Sequence, residues 1–414
     1  MNSSDVAADL AHASSLATEP RREGGRRSAD IQVVFGGVLA VLLTVGWAAN
    51  HFAALIPVIS ERQHLGAAML NAIFGIYALG LLPGLLIGGR VSDALGRQSV
   101  AWAGSATAVA GTVAMLLSQH SAVLLTGRVI VGLGVGLAIS ACTAWASDLK
   151  GPAGAAVAGA VLTAGFAVGP FASGLIAWAV PPGIRESFGI AAAIVVLATV
   201  VAVVAVQRAG VNTTAPTRRD SEQSIPVRQA SVSALSWALP LAPWVFASAT
   251  LAFVTIPTRV HIGLAAPMVA GIAALIANGS SGFIQVFARL RGWGPQAGTI
   301  GALLAALGYA VAAAAPSKMP LVLGLSLVVV LGCAAGLLLR EGLIDLEAAA
   351  PQRVRGALTG VFYTATYIGF GLPLLLGTIG SAASAIVLVV MAMLAIATAA
   401  NRAVRLRRNS HRQS

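Results

Sequence analysis

Long apolar segments recur along this chain at short intervals, and they limit its possible folds more than any other feature. Each is about 20 residues long, which is the length that a helix needs to cross the hydrocarbon core of a bilayer. Over the whole chain 57% of residues are hydrophobic and only 10% are charged, a balance unlike that of soluble domains. The strands of a membrane barrel would alternate in polarity, whereas these segments are apolar all round. The sequence therefore predicts an all-α membrane protein.

Twelve such segments can be counted, six on either side of the longest internal polar stretch. That stretch, residues 208–236, predicts a cytoplasmic linker between two six-helix halves at 31–207 and 237–400. Residues 1–30 lack the apolar core of a signal peptide and predict a disordered cytoplasmic tail, and residues 401–414 predict a basic one. The predicted spans are 31–57, 67–88, 99–117, 122–146, 155–180, 188–207, 237–257, 267–287, 297–315, 321–344, 357–377 and 382–400.

Basic residues are distributed unevenly between the two sides of these spans. Of the 26 Lys and Arg residues, only Arg62, Arg185, Arg259 and Lys318 fall outside if the N-terminus lies inside, and Arg128 falls within a span. The positive-inside rule then predicts a multi-pass protein of the cell membrane with both termini in the cytoplasm. The net charge of +12 follows from this topology, so we expect the lipid bilayer and not nucleic acid as the partner of the basic residues.

The hydrophilic interruption at residues 88–98 carries a specific pattern. Gly89, Asp93, Gly96 and Arg97 stand at the spacing Gly-x-x-x-Asp-x-x-Gly-Arg. This pattern resembles the loop between helices 2 and 3 in the major facilitator superfamily, and in particular its drug or metabolite:proton antiporters with twelve helices. The resemblance implies the major facilitator fold, in which two six-helix pseudo-repeats enclose a substrate cavity near the bilayer midplane.

In that family the loop braces the cytoplasmic side while the transporter faces outward, so the resemblance implies a conformational latch at Gly89, Asp93, Gly96 and Arg97. The two glycines would flank a tight turn, and Asp93 can pair with an Arg or accept hydrogen bonds from a helix N-terminus. Ala94 replaces a basic residue of the family pattern, as does Gln98, which implies a weaker latch. The corresponding loop of the second half, residues 288–293, has basic residues but no acid, so we expect a one-sided latch. An ordinary polar loop is the alternative.

Glycine-rich segments in spans 4 and 10 suggest an internal repeat. Residues 132–136 read Gly-Leu-Gly-Val-Gly and residues 332–336 read Gly-Cys-Ala-Ala-Gly, at an offset near 200. Two parallel halves are what the family resemblance implies, although a match by composition alone is the alternative.

Two side chains inside the spans are candidates for proton coupling. Arg128 precedes Gly132 and Gly134 in the arrangement Arg-x-x-x-Gly-x-Gly, which resembles a second motif of the family, whose Arg is linked to proton coupling. A guanidinium at that depth is usually paired or faces water, and the alternative is an Arg that snorkels to the outer surface. His51 in span 1 titrates in a range suited to a proton switch. The alternative is a packing residue that is hydrogen-bonded to Asn50.

Span 5 contains a run of small residues around a proline. Gly165, Gly169, Pro170 and Gly174 resemble the antiporter motif Gly-x-x-x-Gly-Pro-x-x-Gly-Gly, with Ser173 at one glycine position. In the family this motif marks exporters. Its small residues allow close helix contact, and its proline kinks the helix. Plain helix packing is the alternative.

Charged residues at the cytoplasmic ends of spans 4 and 10 are predicted to form a gate of ion pairs, with Asp148 near Lys150. Polar and aromatic side chains inside the spans are the candidate contacts of a substrate. The predicted gate residues are Asp148, Glu341, Asp345, Glu347, Arg353 and Arg355. The predicted cavity residues are Asn50, Asn71, Tyr77, Asn278, Gln285, Tyr363 and Tyr367.

Together these features predict a secondary active transporter that exports small organic molecules or drugs in exchange for protons, by alternating access. An uptake symporter for a nutrient or metabolite is the alternative. The few charges inside the spans favour a neutral, cationic or weakly amphipathic substrate. We find no phosphate-binding loop, nucleophile with its base, or metal-ligand cluster, so we predict no enzyme, catalytic residue, metal or cofactor. Cys142 and Cys333 are expected to be free thiols, and the protein is expected to be a monomer.

Overall fold

The computed structural model of the protein describes residues 29–180, 183–210, 227–350 and 354–413. The predicted disordered tail lies outside these residues up to position 28, and so does the part of the predicted linker between positions 211 and 226.

Twelve helices in the described ranges are long and apolar enough to cross a membrane, which confirms the predicted number of spans and the all-α class. They are α1 (Ala29–Gln63), α2 (Ala67–Leu95), α3 (Arg97–Leu117), α4 (Ser121–Gly151), α5 (Ala153–Ala179), α6 (Ile184–Ala209), α7 (Arg228–Arg259), α8 (Ala266–Leu290), α9 (Gln296–Ala314), α10 (Leu321–Ala349), α11 (Leu358–Thr378) and α12 (Gly380–Asn409).

Several helices continue beyond the apolar segments that predict them. The helix that leads into α7 already begins at Val227, inside the predicted linker, and the helix of α12 runs on to Gln413 through the predicted basic tail. Arg, Gln and Ala are good helix formers, so a helix does not need to end where its apolar stretch ends. The helices therefore extend into the segments predicted as linker and basic tail, and the domain bounds themselves stay a prediction.

Glycine contacts repeat between the two halves of the fold. In each half two glycines of one helix lie so close to a neighbouring helix that an added Cβ would collide with a backbone carbonyl oxygen. The residue numbers of the corresponding contacts differ by 200 on both helices, so the offset expected from the sequence is present in the packing. The four contacts are Gly132 with Tyr77, Gly136 with Leu81, Gly332 with Ala277, and Gly336 with Ser281.

Two helices of the second half are irregular where they meet. α7 contains a π-helical turn at Leu251–Thr255, and α11 contains a 3-10 turn at Ile368–Gly371, just before Pro373. A proline inside a helix removes one backbone hydrogen bond, and such irregular turns often accompany functional sites. The Thr250 hydroxyl donates a hydrogen bond of 3.1 Å to the carbonyl oxygen of Gly369, so the two irregular segments are joined.

The halves pack together through α2 with α11 and through α5 with α8. We call the side of the bundle on which α1 begins and α12 ends the terminal side, and the other the opposite side. Asn71 Nδ2 donates to the carbonyl oxygen of Pro373 at 2.9 Å, and Asn278 Nδ2 donates to that of Phe166 at 3.4 Å. Asn71 and Pro373 lie towards the opposite side, whereas Asn278 and Phe166 lie at the midpoints of α8 and α5. Hydrogen bonds therefore join the halves from the middle of the bundle towards its opposite side.

Candidate functional site

Arg128 lies fully buried in the second turn of α4 and is enclosed by α1 and α2. Its Nη1 donates to the carbonyl oxygen of Ala49 at 2.8 Å and its Nη2 to that of Phe74 at 3.3 Å. The guanidinium carbon is 4.5 Å from the centre of the Tyr77 ring and 5.1 Å from that of Phe52, which are cation–π distances. The side chain turns into the protein, so the alternative of a snorkelling Arg is wrong.

His51 is also fully buried, at a point where α1 is interrupted. Its Nδ1 lies 2.9 Å from the carbonyl oxygen of Ala48, and its ring meets the Phe188 ring of α6 edge-on at 5.2 Å between centroids. Arg128 holds the next carbonyl of α1, that of Ala49. The two candidates for proton coupling therefore contact consecutive residues of one helix.

Several polar atoms at this place have no hydrogen-bond partner among the described residues. They are Nε of Arg128, Nε2 of His51 and the hydroxyl of Tyr77. Nε1 of Trp47, one turn before His51 on α1, also has no partner among the described residues. Buried polar atoms without partners are rare in folded proteins and call for an explanation. We refer to His51, Tyr77 and Arg128 as the Arg128 site.

No carboxylate lies near the middle of any span, as the sequence itself shows. All five ion pairs between described residues are formed by Arg97, Arg340 and Arg402, which lie towards the terminal side. Within the described part of the chain, Arg128 is therefore a buried cation whose hydrogen-bond partners are backbone carbonyls.

Aromatic side chains connect the Arg128 site to the other half of the protein. The Phe74 ring stacks on that of Phe370 with 5.4 Å between ring centroids. The centroid of the Phe246 ring lies 4.6 Å from that of Tyr367 and 5.1 Å from that of Phe370. Offset and edge-on arrangements at these distances are favourable aromatic contacts. We define the aromatic cluster as Phe74, Tyr77, Phe246, Phe253, Tyr367 and Phe370, from α2, α7 and α11.

Sequence reasoning singled out only Tyr77 and Tyr367 of this cluster. A usable signal was present, because Phe74 and Tyr77 are three residues apart in α2, and so are Tyr367 and Phe370 in α11. Residues at that spacing share one face of a helix. Which faces meet across the halves is a property of the tertiary fold.

The latch motif is built differently from the predicted loop. α2 continues to Leu95, so Gly89 lies inside a helix and does not flank a turn. Gly96 alone makes the turn, with φ +91°, a region that favours glycine. Arg97, the first residue of α3, pairs with Asp93 at 2.5 Å and with Asp148 of α4 at 3.0 Å. An Asp93–Arg pair was one of the two expected roles for this acid.

The second half has an ion-pair cluster of its own, formed by acids of α10 and not by its α8–α9 loop. Arg402 of α12 pairs with Asp345 at 2.6 Å and lies 3.6 Å from Glu341, which also contacts Arg340. Arg402 Nε donates to the carbonyl oxygen of Pro295, at the start of α9. The predicted one-sided latch did not take these acids into account, because they are distant in sequence from the α8–α9 loop.

The predicted gate residues divide between these two clusters. Asp148 pairs with Arg97 and not, as expected, with Lys150, whose Nζ lies over the Phe35 ring at 4.4 Å. Glu347 is exposed. Arg353 lies outside the described residues, and only the backbone of Arg355 is described. The pairs of described gate residues join helices within one half, so their role in gating stays a prediction.

The glycines of the span 5 motif contact both halves. Gly165 and Gly169 lie against the backbone of α1, where a Cβ on Gly169 would stand 2.8 Å from the Cα of Trp47. Gly174 lies against Pro267 of α8, and α5 stays helical through Pro170. The packing that was the alternative interpretation is present, and it places the motif between the Arg128 site and the second half.

The predicted cavity residues are only partly brought together. Tyr77 and Tyr367 lie in the aromatic cluster, and Asn50 is buried beside His51. The amides of Asn71 and Asn278 bridge the halves, while Gln285 donates to Ser281 on its own helix at 3.4 Å. Tyr363 follows Phe362 on α11 and contacts its ring.

Comparison with curated proteins gives partial matches. The chain is 35% identical to the multidrug resistance protein MdtL of Escherichia coli over 81 residues, which are 20% of this chain and 21% of that protein. It is 32% identical to solute carrier family 2, facilitated glucose transporter member 10, of Homo sapiens over 149 residues, 35% of this chain and 27% of that protein. The matches thus span about a fifth to a quarter of these relatives.

Solved structures with a similar fold cover nearly the whole chain. The peptide transporter POT in complex with sulfate superposes with a TM-score of 0.77 at 14% identity, over 91% of this chain and 94% of that one. The POT family transporter PepTSo gives 0.71 at 13% identity, over 91% and 98%. At such identity the likeness establishes the fold alone. The family model of the Major Facilitator Superfamily matches residues 37–373. With this match and the twelve-helix fold in two repeats, the chain belongs to the major facilitator superfamily.

Proposed function

We propose that this protein is a proton-coupled secondary transporter of the cell membrane that exports small organic molecules by alternating access. Both termini lie in the cytoplasm, the halves at residues 31–207 and 237–400 are the moving bodies, and the protein works as a monomer. The observation that carries the proposal is the Arg128 site, where a buried His and a buried Arg hold consecutive residues of α1.

His51 is the proposed proton carrier. Its Nε2 is buried and has no partner among the described residues, so it has a position free to take or release a proton. Arg128 of α4 lies beside it as a fixed charge, and α6 contributes the Phe188 ring. Protonation of His51 would place two cations next to each other. That repulsion would change the packing of α1 against α4, which is the coupling that a transporter requires.

Export as the direction is supported by two observations. The span 5 motif resembles that of exporters, and its glycines lie between α1 and α8, in position to transmit movement from one half to the other. The partial relative MdtL is named a multidrug resistance protein. In this proposal a proton enters at His51 as the substrate leaves.

Uptake by symport is the second candidate, and the charge of Arg128 favours it. A negatively charged substrate bound beside Arg128 would stabilise a protonated His51, so substrate and proton would bind together. A positively charged substrate would instead compete with the proton, as antiport requires. The two candidates therefore differ in the sign of the coupling.

The test is proton-driven transport by the full chain in proteoliposomes that contain a pH-sensitive dye. A panel of organic acids, neutral compounds and lipophilic cations is added under an imposed pH gradient. For the wild type we expect a substrate-triggered proton flux opposite to the substrate, and co-directional flux would favour the symporter. His51→Asn should abolish the proton flux but keep substrate exchange at equal pH.

The matched control is His64→Asn. His64 is exposed at the end of α1 and adopts a positive φ that Asn tolerates, so this variant should keep full coupling. Equal proton coupling in the wild type and in His51→Asn would rule out His51 as the carrier.

A further inference from the structure

We propose that the Arg128 site binds the carboxylate of an organic acid with an apolar, preferably aromatic, body, so that the transported substrate carries one negative charge. This inference rests on the proposed transport function, and by the coupling argument above an anionic substrate at this site favours the symport candidate over the antiport one. It differs from the expectation of a neutral, cationic or weakly amphipathic substrate that the few charges inside the spans favour.

The first step is the chemistry of the atoms that have no partner. Nε of Arg128 can only donate hydrogen bonds, the Tyr77 hydroxyl can donate, and Nε2 of His51 donates in one tautomer and when protonated. A ligand that satisfies this set must supply acceptors. A carboxylate has two oxygens with about four acceptor positions and no donor, whereas an ammonium group has only donors.

The second step is the charge of the site. Arginine side chains stay protonated in proteins, so Arg128 is a cation. In the described structure its neighbours are carbonyl oxygens and the faces of aromatic rings. A second cation beside this guanidinium would be a further uncompensated charge in a medium of low dielectric constant. One carboxylate would neutralise the site, whereas a multiply charged anion would overcompensate it.

The third step is what surrounds the charge. Tyr77 contacts Arg128 on one side and Phe370 on the other, so the aromatic cluster begins at the charged group and extends to α7 and α11. An acid with an aromatic body could place its carboxylate at Arg128 and its ring among these side chains. In this structure Phe52, Phe74 and Tyr77 cover the guanidinium. Binding therefore requires the rings of α2 and α11 to separate, which movement of the halves would provide.

The experiment compares ligands that differ only in their charged end. N-benzoylglycine, its amide and N-(2-aminoethyl)benzamide share one body and end in a carboxylate, a neutral amide and an ammonium group. Two further series carry 2-naphthoyl and octanoyl bodies. Binding to the purified full chain is followed by tryptophan fluorescence and by the shift in Tm. We expect carboxylates to bind about tenfold or more tightly than the amides, the range of a hydrogen bond to a charged group, and the amines to bind weakest.

Variants connect this order to the site. Arg128→Gln should remove the preference for carboxylates, and Arg128→Lys should keep it at lower affinity. If Arg128→Gln does not fold, Tyr77→Phe removes one unpartnered hydroxyl without a change of shape and should weaken the carboxylates selectively. The matched control is Tyr309→Phe, because the Tyr309 hydroxyl is buried in α9, 2.8 Å from that of Ser248 and away from the site.

Two results would overturn the inference: an ammonium or amide ligand that binds as tightly as its carboxylate, or no binding of any carboxylate at millimolar concentration. Transport assays on the same compounds separate this failure from that of the proposed function. Transport of an amine or amide without its carboxylate would refute the charge preference and leave the transporter. Carboxylate binding in the expected order without transport of any compound would support the site and refute the transport function.

Discussion

Replacement of Gly169 by Ala tests whether the span 5 motif is a close contact between α5 and α1. A Cβ at Gly169 would lie 2.8 Å from both the Cα and the carbonyl oxygen of Trp47. Carbon atoms pack best at about 3.5–4.0 Å, so the two helices would have to separate by roughly 1 Å at this point.

The size of the effect follows from two opposing terms. Overpacking of a filled interior costs about 1–3 kcal/mol, and Ala in place of Gly inside a helix stabilises it by about 0.5–1 kcal/mol. The net of the two terms is about 0–2.5 kcal/mol, and we expect Gly169→Ala to lower the free energy of unfolding by roughly 1 kcal/mol, near the middle of that range. Transport should fall as well, because the Trp47 carbonyl accepts the backbone hydrogen bond of His51 and a shift of α1 would move the Arg128 site.

The matched control lies on the same helix. Gly159 is exposed, and no atom lies within 4 Å of the position that its Cβ would take. Gly159→Ala should therefore stabilise the protein by about 0.5–1 kcal/mol, the helix term alone. Unfolding in detergent, followed by circular dichroism, measures both variants against the wild type. If Gly169→Ala is as stable as Gly159→Ala, the helices do not approach as closely as described and the reasoning fails.

Two further variants test the ion-pair cluster and the contact between the halves. Arg402→Met should destabilise the protein by about 3–5 kcal/mol, because it leaves the largely buried carboxylate of Asp345 without its partner. The control Arg408→Met, at an exposed position, should change the free energy of unfolding little. Equal effects of the two variants in the same unfolding assay would contradict this. Asn71→Leu removes the hydrogen bond to Pro373 between the halves. It should lengthen the distance between spin labels placed at the ends of α2 and α11 on the opposite side. An unchanged distance distribution would show that this bond does not hold the halves together.

The number and type of the helices could be predicted because both depend on a local quantity, the apolar character of about 20 consecutive residues. Their ends could not, because polar residues continue the helix of α2 to Leu95 and that of α12 to Gln413. Hydropathy detects where a chain can lie in a membrane, whereas helical hydrogen bonds continue into water when the residues permit.

Arg128 and His51 could be singled out from sequence because a charged or titratable residue within an apolar segment is conspicuous. Their partners could not be identified. The guanidinium binds the carbonyl oxygen of Ala49 in one helix and that of Phe74 in another, and a backbone acceptor leaves no trace in residue identity. The pairing of Arg402 with Asp345 was missed for a related reason, since 57 positions separate the two residues.

The connection between α4 and α5 links the Arg128 motif to the span 5 motif along the chain. Lys150 and Gly151 alone leave the helical conformation there, and Gly151 has φ +63° and ψ −155°, a combination that is essentially restricted to glycine. Only two residues separate the helices at this joint, so α4, which carries Arg128, leads directly into α5, whose Gly174 lies against Pro267 in α8 of the other half. The two motifs, 41 positions apart in the sequence from Arg128 to Gly169, are therefore joined by two consecutive helices with one glycine turn between them, and we expect a movement of α4 to displace α5 as well.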